Sequence, residues 1–168
     1  VAKEISTLSL LSEDIESLNN EIIEEKDISV QDYVTEMISS IGENINLRRM
    51  KRFSSSDSFI ASYIHGQVSE GLGKIGVLIA LSSADETLGK NLAMHVAACN
   101  PLALRENDLP ADVLEREEKV YSEQAKESGK SSEIVENMVK GKLKKFVSEI
   151  TLVNQNFILQ KIFQEKLL

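Results

Sequence analysis

Apolar residues recur three or four positions apart through the first part of the chain. Ile5, Leu8, Leu11, Ile15, Leu18 and Ile22 form this stripe and predict one or two amphipathic helices before residue 25. Ser12, followed by Glu13 and Asp14, reads as a helix start: a hydroxyl cap with acids in the first turn. A second stripe of Val30, Tyr33, Val34, Met37 and Ile38 predicts a helix opened by Ser29 and Asp32 and closed by Gly42. Glycine ends helices because it enters the left-handed region without a Cβ penalty. The pattern then shortens to period two, with strand candidates at residues 45–54, 59–65 and 74–82. Ser54-Ser55-Ser56-Asp57 and Ser69-Glu70-Gly71-Leu72-Gly73 are the turns between them. Such short connectors favour an antiparallel meander. The third strand, nearly all apolar, reads as the central or best-covered one.

A helix from Ser83-Ala84-Asp85-Glu86 to about Cys99 follows, with Leu88, Leu92, Met94 or His95, Val96 and Cys99 as its stripe and Pro101 as its stop. Two long helical runs then flank Ser128-Gly129-Lys130-Ser131-Ser132. Their sparse apolar positions, among them Val113, Leu114, Val120 and Tyr121 against Val135, Met138, Val139 and Leu143, predict an antiparallel coiled-coil hairpin. The tail carries a short extended piece, Phe157-Ile158-Leu159, and a helix start with Ile162, Phe163, Leu167 and Leu168 on one side. The expected fold class is α+β: a small antiparallel three-stranded sheet covered by helices, with a protruding helical hairpin. The expected divisions are a helical segment at 1–40, an α+β core at 41–109, the hairpin at 110–150, and the start of a second core subdomain at 151–168.

Composition narrows the class. With 168 residues, 42% hydrophobic, no Trp and 5% aromatics, the core must be built from Ile, Leu and Val. A formal charge of −8 argues against nucleic acid as partner, because displacing phosphate counterions needs a basic face. The longest apolar run, at 76–81, is far shorter than the ~20 residues of a membrane helix. The single cysteine, Cys99, excludes an intrachain disulfide and fits a reducing, cytoplasmic setting. Val1 in place of Met suggests a part of something longer.

Nothing in the chain spells out a nucleophile and its base. His65 and His95 are the only imidazoles, and their spacing marks neither a metal pair nor a triad. His95, beside Met94 and Val96, reads as a core or interface histidine. His65 ends a strand before Gly66, an exposed place where side chains meet partners; spacing alone leaves it open between structural residue and contact. Cys99 reads as a small core residue. Gly71-Leu72-Gly73-Lys74 and Gly129-Lys130-Ser131 only imitate a phosphate loop and read as turns. Lys140, Lys142, Lys144 and Lys145 read as a solvated face balanced by the acids of the opposing helix. No residues offer themselves for enzyme catalysis, and no cofactor is called for.

Four stretches carry a resemblance. They are Ile41-Gly42-Glu43-Asn44-Ile45-Asn46-Leu47-Arg48-Arg49, Ser62-Tyr63-Ile64-His65, Leu92-Ala93-Met94-His95-Val96-Ala97-Ala98 with Asn100-Pro101, and Val139-Lys140-Gly141-Lys142-Leu143-Lys144-Lys145-Phe146. In this order they resemble bacterial-type elongation factor Ts, the nucleotide exchange factor of elongation factor Tu. The resemblance implies binding to the G domain of elongation factor Tu and disturbance of its magnesium and phosphate site, so that GDP leaves. It implies no covalent chemistry and no cofactor. Carried over residue by residue, the partner contacts fall on Ile41, Gly42 and His65, the histidine as a contact rather than a proton donor. The family's Thr-Asp-Phe loop, its N-terminal ubiquitin-associated-type module and its final strand have no counterpart here. The resemblance is therefore to the core and the coiled-coil dimerisation region, with impaired exchange expected. The alternative is an interaction module that self-associates as a homodimer through its sheet edge and hairpin.

Overall fold

A computed structural model describes residues 1–54, 56–127 and 129–158. The chain divides into two compact units, Val1–Gly89 and Lys90–Leu168.

In the first unit the N-terminal stripe breaks into two short helices, α1 (Ala2–Leu8) and α2 (Ile15–Asn20). The cap of α2 is Asp14, not Ser12. The Asp14 carboxylate accepts the Ser17 N–H at 2.7 Å, and the Ser17 hydroxyl accepts the Asp14 N–H at 3.1 Å. Ser12 is instead buried, its hydroxyl directed at the Leu8 carbonyl behind it. The helical stripe does not reach residue 25. Ile22–Ile23 (β1) pairs antiparallel with Ile28–Ser29 (β2) through a turn in which Asp27 takes φ 55°. Two adjacent β-branched residues and an Asp tolerant of the left-handed region favour this turn over helix.

Helix α3 (Val30–Ile41) runs as its pattern predicts. The Ser29 hydroxyl accepts the Asp32 N–H at 3.0 Å, and the helix stops at Gly42. Val30, Tyr33 and Val34 are buried and join Ile5, Leu18 and Ile23 in one cluster.

The expected three-stranded sheet is not what forms. Residues 45–54 carry no strand assignment, and the second sheet of this unit is the antiparallel pair β3 (Phe59–His65) and β4 (Ile75–Leu81). Ile45, Leu47 and Met50 pack instead against the α1–α3 cluster, and the Arg52 guanidinium donates to the Leu10 carbonyl at 2.8 Å. The alternation is real, but it serves a side-chain contact with helices rather than a hydrogen-bonded ladder. With one strand neighbour among the described residues, β4 is not the covered strand its composition suggested: Ile75 and Leu78 are exposed. Register runs from Phe59 opposite Leu81 to His65 opposite Ile75.

Helix α4 (Glu86–Cys99) begins in the first unit and continues into the second. Asp85 caps it, accepting the Leu88 N–H at 2.8 Å. Its buried residues are Gly89, Ala93 and His95, while Leu88 and Cys99 are exposed. Within the first unit Gly89 is closely packed: an added Cβ would collide with Ala61 of β3 and lie 3.2 Å from Leu81 of β4.

In the second unit α5 (Ala111–Lys126) and α6 (Ser132–Ile150) pack on each other as an antiparallel pair joined by a short turn at Gly129, φ 66°. Ala125, Val139 and Val147 are buried. Lys142 reaches across to Gln124 at 2.8 Å and lies 5.2 Å over the Tyr121 ring, whereas Lys145 pairs with Glu149 of its own helix. Lys142 is thus held by a polar amide and an aromatic face and Lys145 by a neighbouring turn, and among the described residues neither forms an ion pair with an acid of the opposing helix. After α6 the chain bridges back, Thr151 pairing with Ala103. The helix start sought around Ile162 lies outside the described residues.

Candidate functional site

Ile41, Gly42 and His65 all lie in the first unit, at the ends of two elements. Ile41 is the last residue of α3 and is 53% exposed. Gly42 follows at φ 78°, ψ 14°, its N–H donating to the Ile38 carbonyl at 2.9 Å. That geometry is the left-handed helix cap, which any L-residue with a Cβ adopts at a cost. The space a Cβ would enter is empty, with no atom within 4 Å. The corner therefore presents an apolar side chain next to bare backbone.

His65 closes β3. Its carbonyl accepts the Lys74 N–H at 3.0 Å, and Gly66 follows at φ 60°. Gly73 packs beneath: an added Cβ there would collide with the Ile64 side chain and lie 2.9 Å from the His65 carbonyl oxygen. The backbone carrying His65 is thus fixed by a turn with no room for a side chain at Gly73. The ring itself is exposed, and its Nδ1 lies 3.2 Å from the Tyr63 hydroxyl. Tyr63, two residues back and on the same strand face, neighbours His65; it belongs to the Ser62–His65 stretch but not to the contacts carried over from the resemblance. Its i, i+2 spacing on a strand was the available signal. Tyr63 also lines a shallow apolar depression with Phe53, Ile64, Val77 and Leu78. No hydrogen bond among the described residues joins His65 to Ile41 or Gly42.

His95 belongs to a different environment. It is 1% exposed, within the second unit. Its Nδ1 accepts the Ile158 backbone N–H at 3.2 Å, and its Nε2 lies 3.0 Å from the Gln155 side-chain oxygen. A backbone N–H can only donate and an amide oxygen only accept, so the network assigns the proton to Nε2. Phe157 packs on the ring at 5.4 Å between centroids. His95 is a core histidine, as its surroundings in sequence suggested. Cys99 is exposed rather than part of the core, its sulfur 3.7 Å from His95 Nδ1. No group of three or more His, Cys, Asp or Glu side chains among the described residues is arranged to hold a metal, and none of their helices is long and apolar enough to cross a membrane.

The family model of elongation factor Ts matches residues 1–164. The chain belongs to the elongation factor Ts family. It is 49% identical over 136 residues to the elongation factor Ts of Parvibaculum lavamentivorans, covering 78% of this chain and 44% of that protein. It is 48% identical to that of a Ruegeria species over 125 residues, 74% of this chain and 42% of the relative. The elongation factor Ts of Bartonella quintana aligns over 165 residues at 38% identity, 95% of this chain and 54% of that protein. The chain thus spans about half the length of the relatives it matches.

Proposed function

We propose that this chain is the partner-binding core of a guanine nucleotide exchange factor for elongation factor Tu, acting in translation elongation in the cytoplasm. It promotes GDP release by binding the G domain and disturbing the magnesium and phosphate site there, without covalent chemistry. Ile41, Gly42 and His65 are the contacts. The observation that carries this reading is the pair of exposed element ends on fixed backbone: the bare left-handed cap beside Ile41, and His65 over the tightly packed Gly73. The α5–α6 pair is read as the family's coiled-coil hairpin and a dimerisation element. These 168 residues alone contain no Thr-Asp-Phe sequence, so exchange by them in isolation is expected to be weak.

The test is release of fluorescent GDP from elongation factor Tu, catalysed by the full-length protein, by this chain, and by both carrying His65→Ala. In the full-length protein the substitution slows exchange. Because the His65 side chain is exposed, stability stays within about 0.5 kcal/mol of the parent. Release unaffected by His65→Ala sinks the contact assignment, and failure of the full-length protein to bind elongation factor Tu sinks the function. A second reading, a self-associating module without exchange activity, draws on the exposed Ile75 and Leu78 of β4 and its one strand neighbour among the described residues. A stable dimer in sedimentation that ignores elongation factor Tu would favour it.

A further inference from the structure

Resting on the assignment of His65 as a contact, we propose that Tyr63 is its positioning residue. The Tyr63 hydroxyl donates to His65 Nδ1 and so keeps the proton on Nε2, which is offered outward as an N–H donor to an acceptor oxygen of the partner.

The two side chains leave the same face of β3, opposite Val77 and Ile75 of β4. Their rings stand 6.2 Å apart between centroids, tilted by 45°, with the hydroxyl 3.2 Å from Nδ1. A phenol is a good donor, and the unprotonated imidazole nitrogen is the better acceptor of the two groups, which sets the direction of the bond. Once Nδ1 accepts, the neutral ring carries its hydrogen on Nε2. That atom has no hydrogen-bond partner among the described residues. Protonation of the ring leaves Nε2 an N–H donor as well, so the outward chemistry is the same in both charge states.

The backbone gives the pair its precision. Gly73 leaves no space under Ile64 and the His65 carbonyl, and Lys74 N–H holds that carbonyl at 3.0 Å. The remaining freedom lies in the His65 ring torsions, and the Tyr63 hydroxyl is the group in contact with it that restrains them. Tyr63 is itself half-buried against the apolar depression, so its own orientation is set by packing.

The experiment combines a spectroscopic and a kinetic arm in the full-length protein. Nitrogen chemical shifts of His65 report which ring nitrogen carries the proton, in the parent and in Tyr63→Phe. The expected result is a single Nε2–H form in the parent and a mixture of both forms in the variant. Exchange rates are measured for Tyr63→Phe, His65→Ala and the double variant. Loss of one neutral hydrogen bond predicts a slowing of about two- to tenfold in Tyr63→Phe, and no further slowing when it is added to His65→Ala. An unchanged proton position in Tyr63→Phe, or an undiminished Tyr63→Phe cost in the His65→Ala background, overturns the proposal. If His65→Ala alone leaves exchange unchanged, the contact assignment fails first, whatever the spectra show, and the positioning role falls with it.

Discussion

Gly42 separates two reasons for being glycine, and they can be measured apart. The first reason is its backbone: φ is 78°, where an L-residue meets its own carbonyl at roughly 1–2 kcal/mol. The second is space for a partner. Nothing in the free chain lies within 4 Å of the position of an added Cβ, so Gly42→Ala incurs no packing penalty in the unbound protein. Part of its backbone cost is offset because alanine restricts the unfolded chain, by about 0.4–1 kcal/mol. The net expectation is a destabilisation of about 1 kcal/mol, or about 2–4 °C in Tm for a chain of this size. Gly42→Asn tolerates the left-handed region and recovers most of that loss.

If the corner is approached closely by a partner backbone, the two variants part from stability in binding. Both place a Cβ where the partner must come. Affinity for GDP-loaded elongation factor Tu should then fall by at least about tenfold in each, a loss of ~1.4 kcal/mol. Thermal unfolding followed by circular dichroism gives the first quantity and fluorescence titration the second. An asparagine variant that regains both stability and affinity would show that glycine serves the helix cap alone. An alanine variant with unchanged Tm would refute the strain argument itself.

Two further outcomes concern the scaffold. His95→Ala leaves the Ile158 N–H and the Gln155 oxygen without their partner and opens a cavity. It should cost about 3 kcal/mol and abolish amide-exchange protection at Ile158; a denaturant midpoint close to the parent's would contradict this. Glu4 is held ionised first by the Tyr33 hydroxyl, which donates to its carboxylate at 2.6 Å, and then by Lys26 at 3.6 Å, and both lower its carboxyl below the ordinary value. The unfolded chain binds the proton first, so this stabilisation is complete above the ordinary carboxylate range and is lost as pH falls through the lowered folded-state value. Melting temperatures from pH 6 to pH 2 should therefore fall less steeply in Glu4→Gln than in the parent, and parallel slopes would refute the contact.

What could be read from the chain divides by mechanism. Helix α3, expected over residues 30–40 and found over Val30–Ile41, was legible because its stripe, its Ser29 cap and its Gly42 stop all agree. The β3–β4 hairpin was legible because Gly71 and Gly73 mark a tight turn between period-two runs. Residues 45–54 were not, since alternation reports that every second side chain is buried and says nothing about what buries it. Here the burying surface is helical. The α4 stripe was legible only in part: Leu92, His95 and Val96 are buried or half-buried, whereas Leu88 and Cys99 are exposed. Leu88 and Cys99 attract attention as apolar positions, yet the close contact is made by Gly89, which carries no hydrophobic signal at all. At the site, spacing placed His65 at an exposed strand end but could not supply the Tyr63 hydroxyl at 3.2 Å. A contact between side chains two residues apart depends on rotamers, which no pattern of residue types encodes.

On the proposed function, the chain acts by what it binds rather than by covalent chemistry, and linkage sets what its contacts must do. A protein that weakens GDP binding to its partner by some factor is itself bound more weakly, by the same factor, when GDP is present. All of that coupling has to come from contacts that fit the nucleotide-free partner better than the GDP-bound one. A side chain that could follow the partner between the two forms would contact both equally and contribute nothing. Rigid presentation is therefore the property to look for, and both candidate contacts have it. Gly42 ends a capped helix whose buried face is anchored in the α1–α3 cluster. His65 sits on backbone fixed beneath by Gly73, with its ring held by Tyr63. Loosening either one, as Tyr63→Phe does without removing the imidazole, should cost exchange rate while leaving much of the binding intact. That split separates a contact that merely adheres from one that discriminates between the two forms of the partner.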